Sequence, residues 1–94
     1  MQLEDYTDES GLSKPGLKTQ YKNHITVTET NLLEKTDWMY VRQKERDISV
    51  PLDVVSNRTA IANEADRVRG VIDEATSEEE VIVAFQSASW PEDN

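Results

Sequence analysis

The clearest pattern along the chain is an apolar stripe between Pro51 and Ala75. Val54, Ile61, Val68 and Ala75 stand seven apart, Ala65 and Ile72 fill alternate positions, and Arg58 takes the one left over. The seam Val54, Arg58, Ile61, Ala65, Val68, Ile72, Ala75 advances in steps of four and three, which keeps side chains on one helical face. Asn63, Glu64, Asp66, Arg67, Asp73 and Glu74 fall on the other faces. The pattern predicts a helix over about 51–75, roughly 37 Å long. Val50 precedes a proline and is biased away from the α region. Pro51 suits a first helical turn, with Ser49 or Val50 as the cap. Gly70 costs about 1 kcal/mol against alanine inside a helix, and suggests close approach by a neighbour.

A second start signal follows. Ser77-Glu78-Glu79-Glu80 has the form of a capping box, in which the hydroxyl and the glutamate satisfy each other's backbone amides. Val81, Ala84, Phe85 and Ala88 then share a face, which predicts a short helix over about 77–88, ending before Trp90-Pro91 and a polar tail. With a tight turn at Ala75-Thr76-Ser77, the two helices make a helical hairpin. Its stripe of Ala, Val and Ile is thin, so an earlier helix, a second copy or another protein has to cover it.

Upstream, Leu32 and Leu33 share faces with Thr36, Met39 and Tyr40, which predicts a helix over about 29–44. Thr28 or Thr30 can cap it, and Asp37 is an alternative cap for a separate second piece. His24-Ile25-Thr26-Val27-Thr28 alternates polar and apolar with β-branched residues, the pattern of a short strand. Residues 1–24 show no sustained period and carry a turn signal at Ser13-Lys14-Pro15-Gly16. The expectation is a mostly α protein: an irregular, extended arm over 1–24 and one small helical domain over 25–94.

Composition sharpens this. With 36% hydrophobic residues in 94, any core is small. Without cysteine there is neither a disulfide nor a thiolate metal site. The net charge is −9, and residues 51–94, with ten acidic and three basic side chains, hold most of it. An acidic surface repels phosphate backbones and anionic membranes and favours basic protein partners. The N-terminus lacks the features of a signal peptide, so the chain is expected to be soluble and intracellular.

Candidate chemistry is sparse. His24 is the sole histidine and reads as a surface or structural residue. No serine sits in a nucleophile elbow and no glycine-rich phosphate loop is present. Glu78, Glu79 and Glu80 are explained by a helix N-terminus better than by a cation. The basic spots Arg42–Arg46 and Arg67–Arg69 read as solvated helix faces. No cofactor is expected.

Trp38, Met39 and Tyr40 concentrate the bulk of the chain in one place. They suit a core, and they equally suit partner anchors, because aromatic residues are enriched at interface hot spots. Three consecutive side chains cannot face one way, so at least one points away from the core. The expected arrangement has Trp38 inward on the 51–75 and 77–88 helices, Trp90 closing the same cluster, and Met39 and Tyr40 facing a partner.

Leu32-Leu33, Thr36-Asp37-Trp38, a polar stretch to Val50-Pro51, Arg58 in a helix with Ala60, and Trp90-Pro91 together form a pattern. Over about residues 29–91 it resembles the tail assembly chaperone-like proteins of tailed bacteriophages, in the versions carried by phages of marine cyanobacteria. Many relatives have a tyrosine before the helix arginine, where Asn57 stands here. Many also have a second arginine shortly after, where Ala62 and Asn63 stand. The resemblance implies a non-enzymatic protein binding tail or tail-fibre components in the host cytoplasm during assembly. The residues expected to carry that binding are Trp38, Met39, Tyr40 and Trp90 with the seam Val54, Arg58, Ile61, Ala65, Val68 and Ile72. Two alternatives stand beside it: a permanent subunit of the virion, and an acidic mimic of DNA. Self-association is left open.

Overall fold

The computed structural model describes residues 2–91; the polar tail residues 92–94 lie outside them. A short antiparallel hairpin, β1 (Tyr6–Thr7) with β2 (Ser13–Lys14), precedes three helices: α1 (Leu17–Arg46), α2 (Leu52–Glu74) and α3 (Glu78–Gln86). The protein is mostly helical, and the α2–α3 hairpin with a preceding helix is the architecture the pattern predicts.

The seam is the core of the fold. Val54, Ile61, Ala65, Val68, Ile72 and Ala75 are all buried, and only Arg58 keeps partial access to water. Pro51 itself is the residue before α2, in place of the expected cap at Ser49 or Val50, and its carbonyl accepts from the amides of Val54 and Val55, both at 3.1 Å. Gly70 is exposed, and a Cβ placed there would meet nothing within 4 Å, so no neighbour approaches it. Ser77 caps α3 by accepting from the amide of Glu80 at 3.2 Å. The reciprocal bond runs one residue further back than a capping box requires: the Glu80 carboxylate accepts from the Thr76 amide at 2.6 Å. The α3 helix ends at Gln86, two residues short of the expected limit.

The main departure lies in α1, which starts at Leu17 rather than near 29 and runs for 30 residues. The expected strand at His24–Thr28 is helix. Leu17, Tyr21 and Ile25 recur every four residues, and all three belong to or pack on the cluster with Val68, Ile72, Val81 and Ala84. Burial of that face outweighs the weak strand preference of a β-branched run. Thr28 accommodates the helix by donating its hydroxyl to the His24 carbonyl at 3.0 Å.

The irregular part is therefore shorter than expected, and it seals the start of α1. The free amides of Leu17 and Lys18 donate to the carbonyls of Gln2 and Leu3 at 2.7 and 3.0 Å. Asp5 accepts from the Gly16 amide at 2.9 Å and the Thr19 hydroxyl at 2.6 Å, and these two bonds hold its carboxyl below the ordinary value. In the β1–β2 turn, Asp8 accepts from Ser10 and Leu12, while Gly11 takes the left-handed φ of 84° that L-residues avoid. Gly16 is required for a different reason: a Cβ there would collide with the backbone of Leu3 and Glu4.

The molecule measures 55 × 28 × 15 Å, which is one helix pair long and two layers thick. Helices α1 and α2 run antiparallel, and α3 joins them only where α1 begins and α2 ends. At that end Lys18, the one buried charged residue among those described, donates to the Asp73 carbonyl and pairs with Glu4, both at 2.8 Å. It supplies the positive charge that the last turn of α2 lacks.

Candidate functional site

Beyond the reach of α3, α1 and α2 continue as a bare pair, and Arg58 fastens them. Its guanidinium donates to the Leu33 carbonyl at 2.7 Å and the Thr36 hydroxyl at 2.8 Å, and pairs with Asp37 at 2.9 Å. It also lies 4.7 Å from the centre of the Tyr40 ring. Residues 33, 36, 37 and 40 are one face of α1, so a single side chain from α2 reads two turns of its neighbour. This explains the one polar position in the seam.

Those contacts fix which way the aromatic stretch points. Each residue turns a helix by about 100°. With residues 33, 36, 37 and 40 toward α2, Trp38 lies on the far side of α1, and Val41, also exposed, lies on the flank between the two sides. Trp38 is 52% exposed, where the sequence suggested an inward side chain. Met39 is half-buried instead, and Tyr40 is exposed but stacked on Arg58. The Trp38 ring carries the Arg42 guanidinium at 4.8 Å from its centre.

Trp90 does not join Trp38. It packs on the three-helix cluster at the opposite end of the molecule. Glu64 holds it there indirectly: its carboxylate takes both the Nε and a terminal NH2 of Arg67, at 2.7 and 2.8 Å, and the Ser89 amide at 2.6 Å. The Arg67 and Ser89 bonds lower the Glu64 pKa to about 2. Arg69 bridges the helices midway, to Glu29 at 3.0 Å and Thr26 at 3.2 Å, with Asp66 at 2.6 Å on its own helix. Arg67 and Arg69, expected as a solvated face, are thus paired links. His24 is exposed and lies beside the rings of Tyr21 and Phe85, at 6.3 and 6.1 Å, while those two rings meet edge to face at 4.9 Å.

The two-helix end exposes apolar residues that periodicity did not single out: Val41, Ile48, Val55 and above all Leu52, 84% exposed. Their signal was available, since Leu52 and Val55 fall outside the four-three steps of the seam. Among the described residues no group of three or more His, Asp or Glu side chains could hold a metal ion. No helix among them is long and apolar enough to cross a membrane. Comparisons with protein-family models, with curated protein sequences and with solved structures each find no match.

Proposed function

We propose that the chain is a non-catalytic binding protein whose two-helix end engages tail or tail-fibre proteins of a bacteriophage as an assembly chaperone-like factor. One observation carries the binding part of this reading. Trp38, Val41 and Leu52 are exposed on a helix pair that Arg58 already holds rigid, so docking costs little ordering. The phage and tail part rests on the resemblance carried by Leu32-Leu33, Thr36-Asp37-Trp38, Val50-Pro51, Arg58 and Trp90-Pro91. It gains physical sense here, because Thr36, Asp37 and Arg58 are one contact. Such a factor acts in the host cytoplasm, needs no cofactor, and binds neither nucleic acid nor membrane.

The test is co-expression with the tail and fibre proteins of a phage encoding this chain, followed by native capture. Recovery of a tail protein with the wild type, and its loss with Trp38→Ala and Leu52→Asp, is the expected result. Capture of no tail protein overturns the tail reading. A permanent virion subunit would use the same surface and differs in copy number, which mass spectrometry of purified virions measures. Mimicry of DNA ranks last: Glu29, Asp37, Glu64, Asp66 and Asp73 are engaged by the chain's own Lys and Arg side chains rather than displayed in a phosphate-like row.

A further inference from the structure

At the three-helix end, α2 and α3 enclose an open groove of about 570 Å³. Val71 and Ala75 on α2 and Val83 and Ala84 on α3 form its apolar walls. Val71 and Val83 are 39% and 59% exposed, although the neighbouring Ile72 and Val81 are wholly buried. Glu74 and Glu79 stand at the end of the groove nearest the α2–α3 turn. Both are exposed, and neither carboxylate takes part in a hydrogen bond or an ion pair among the described residues. The third lining glutamate, Glu80, is turned onto Thr76. The cations packed nearest are all engaged elsewhere: Lys18 by Glu4 and the Asp73 carbonyl, Lys22 by Asp73, and Arg67 by Glu64. The rim therefore carries negative charge that the chain itself does not answer.

The walls also decide the form of the occupant. Both are helices, whose backbone groups are bonded internally, so the groove has no edge for an extended strand to pair with. A helix laid along it fits instead. The α3 wall from Glu79 to Ser87 is about 12 Å long, a little over two turns of such a helix. No part of this chain supplies it. The arm before α1 is bound to the start of that helix. The exposed apolar face around Trp38 and Val41 carries Glu34 and Glu45 at helical spacing beside Lys35 and Arg42, so a second copy brings no net positive surface.

We propose that the α2–α3 groove is a second docking site, for a short amphipathic helix of another protein that carries lysine or arginine beside its apolar stripe. The aliphatic side chains of that helix cover Val71 and Val83, and its cations meet Glu74 and Glu79 at the turn end. The groove lies where α2 ends, whereas Trp38 and Leu52 lie where α1 ends and α2 begins, so one chain can hold two partners at once. The inference rests on the groove alone and stands or falls apart from the tail reading.

The test is calorimetric titration of the full chain with a synthetic peptide of about 14 residues, leucine at helical spacing and lysine elsewhere. Wild type binds it. The same residues shuffled out of helical spacing, and a version with glutamate for each lysine, bind about tenfold more weakly or not at all. Val83→Arg, which fills the groove with a cation, removes binding. Glu74→Gln with Glu79→Gln weakens it about tenfold, the scale of two partly exposed ion pairs. Glu9→Gln with Glu45→Gln makes the same change of net charge at exposed positions outside the groove and leaves binding as it was. A wild type that does not bind, a shuffled peptide that binds as well, or equal losses in the two double variants each overturns the proposal; the last means attraction to net charge alone. Light scattering on the peptide-free chain should show a monomer, and an oligomer that Val83→Arg dissolves would give the groove to a second copy instead. Circular dichroism checks the fold of each variant, and if Val83→Arg loses helicity the two glutamate pairs decide the outcome alone.

Discussion

Arg58 and Tyr40 meet face to ring across the α1–α2 interface, 4.7 Å from guanidinium carbon to ring centre. The same guanidinium spans a carbonyl, a hydroxyl and a carboxylate of α1, so its planar fork matters as much as its charge. Arg58→Ala is expected to cost about 2–3 kcal/mol, the scale of a charged hydrogen-bonded group lost from a part-buried site. Arg58→Lys recovers only part of that. Urea denaturation of the three proteins measures both steps.

Trp38 and Met39 are adjacent in sequence and opposite in role. Trp38→Ala should change stability by less than about 1 kcal/mol, since an exposed side chain gives up little burial. Met39→Ala should cost more, because its side chain is half-buried. Thermal unfolding of the two variants ranks them. Equal losses would place both side chains in the core.

The two helix-associated glycines should respond oppositely to alanine. At Gly70 an added methyl meets nothing, so Gly70→Ala gains up to about 1 kcal/mol from helix propensity. At Gly16 it strikes the main chain of Leu3 and Glu4, so Gly16→Ala forces the arm away and destabilises. Melting temperatures shifted in opposite directions are the expected readout.

Acid should loosen the end of the chain through Glu64. Its pKa is about 2 in the folded protein against an ordinary 4.5, a depressed value. Its stabilising contribution is therefore present above about pH 4.5 and is lost as pH falls from there toward 2. Asp5, Asp8 and Glu80 are lowered too and act with the same sign. Denaturation at several pH values should show a shallower acid loss for Glu64→Gln than for the wild type. Trp90 fluorescence, compared in a Trp38→Phe background, should report the release.

The long seam and the α3 cap were legible because both are local. Four-three spacing and a serine ahead of glutamates state their own geometry. The beginning of α1 was not, because Ile25, Thr26, Val27 and Thr28 fit a strand locally and a helix only once Leu17, Tyr21 and Ile25 find Val68 and Val81. The direction of Trp38 was hidden for a similar reason. Any one of three consecutive bulky residues could have faced inward, and the choice is made by Arg58, 18 or more residues away in the chain. Arg58 was visible in the seam, but its partners were not.

The seal on α1 has a consequence for how the N-terminus can vary. The oxygens that receive the Leu17 and Lys18 amides belong to the main chain of Gln2 and Leu3, and Asp5 fixes the next contact at Gly16. Those hydrogen bonds are indifferent to which side chains stand at 2 and 3, but not to how many residues separate them from Asp5. The segment is locked in length first: a single inserted or deleted residue between Leu3 and Asp5 displaces both main-chain contacts at once, whereas a substitution is felt only where the side chain is used, as at Leu3 on the core and Glu4 against Lys18.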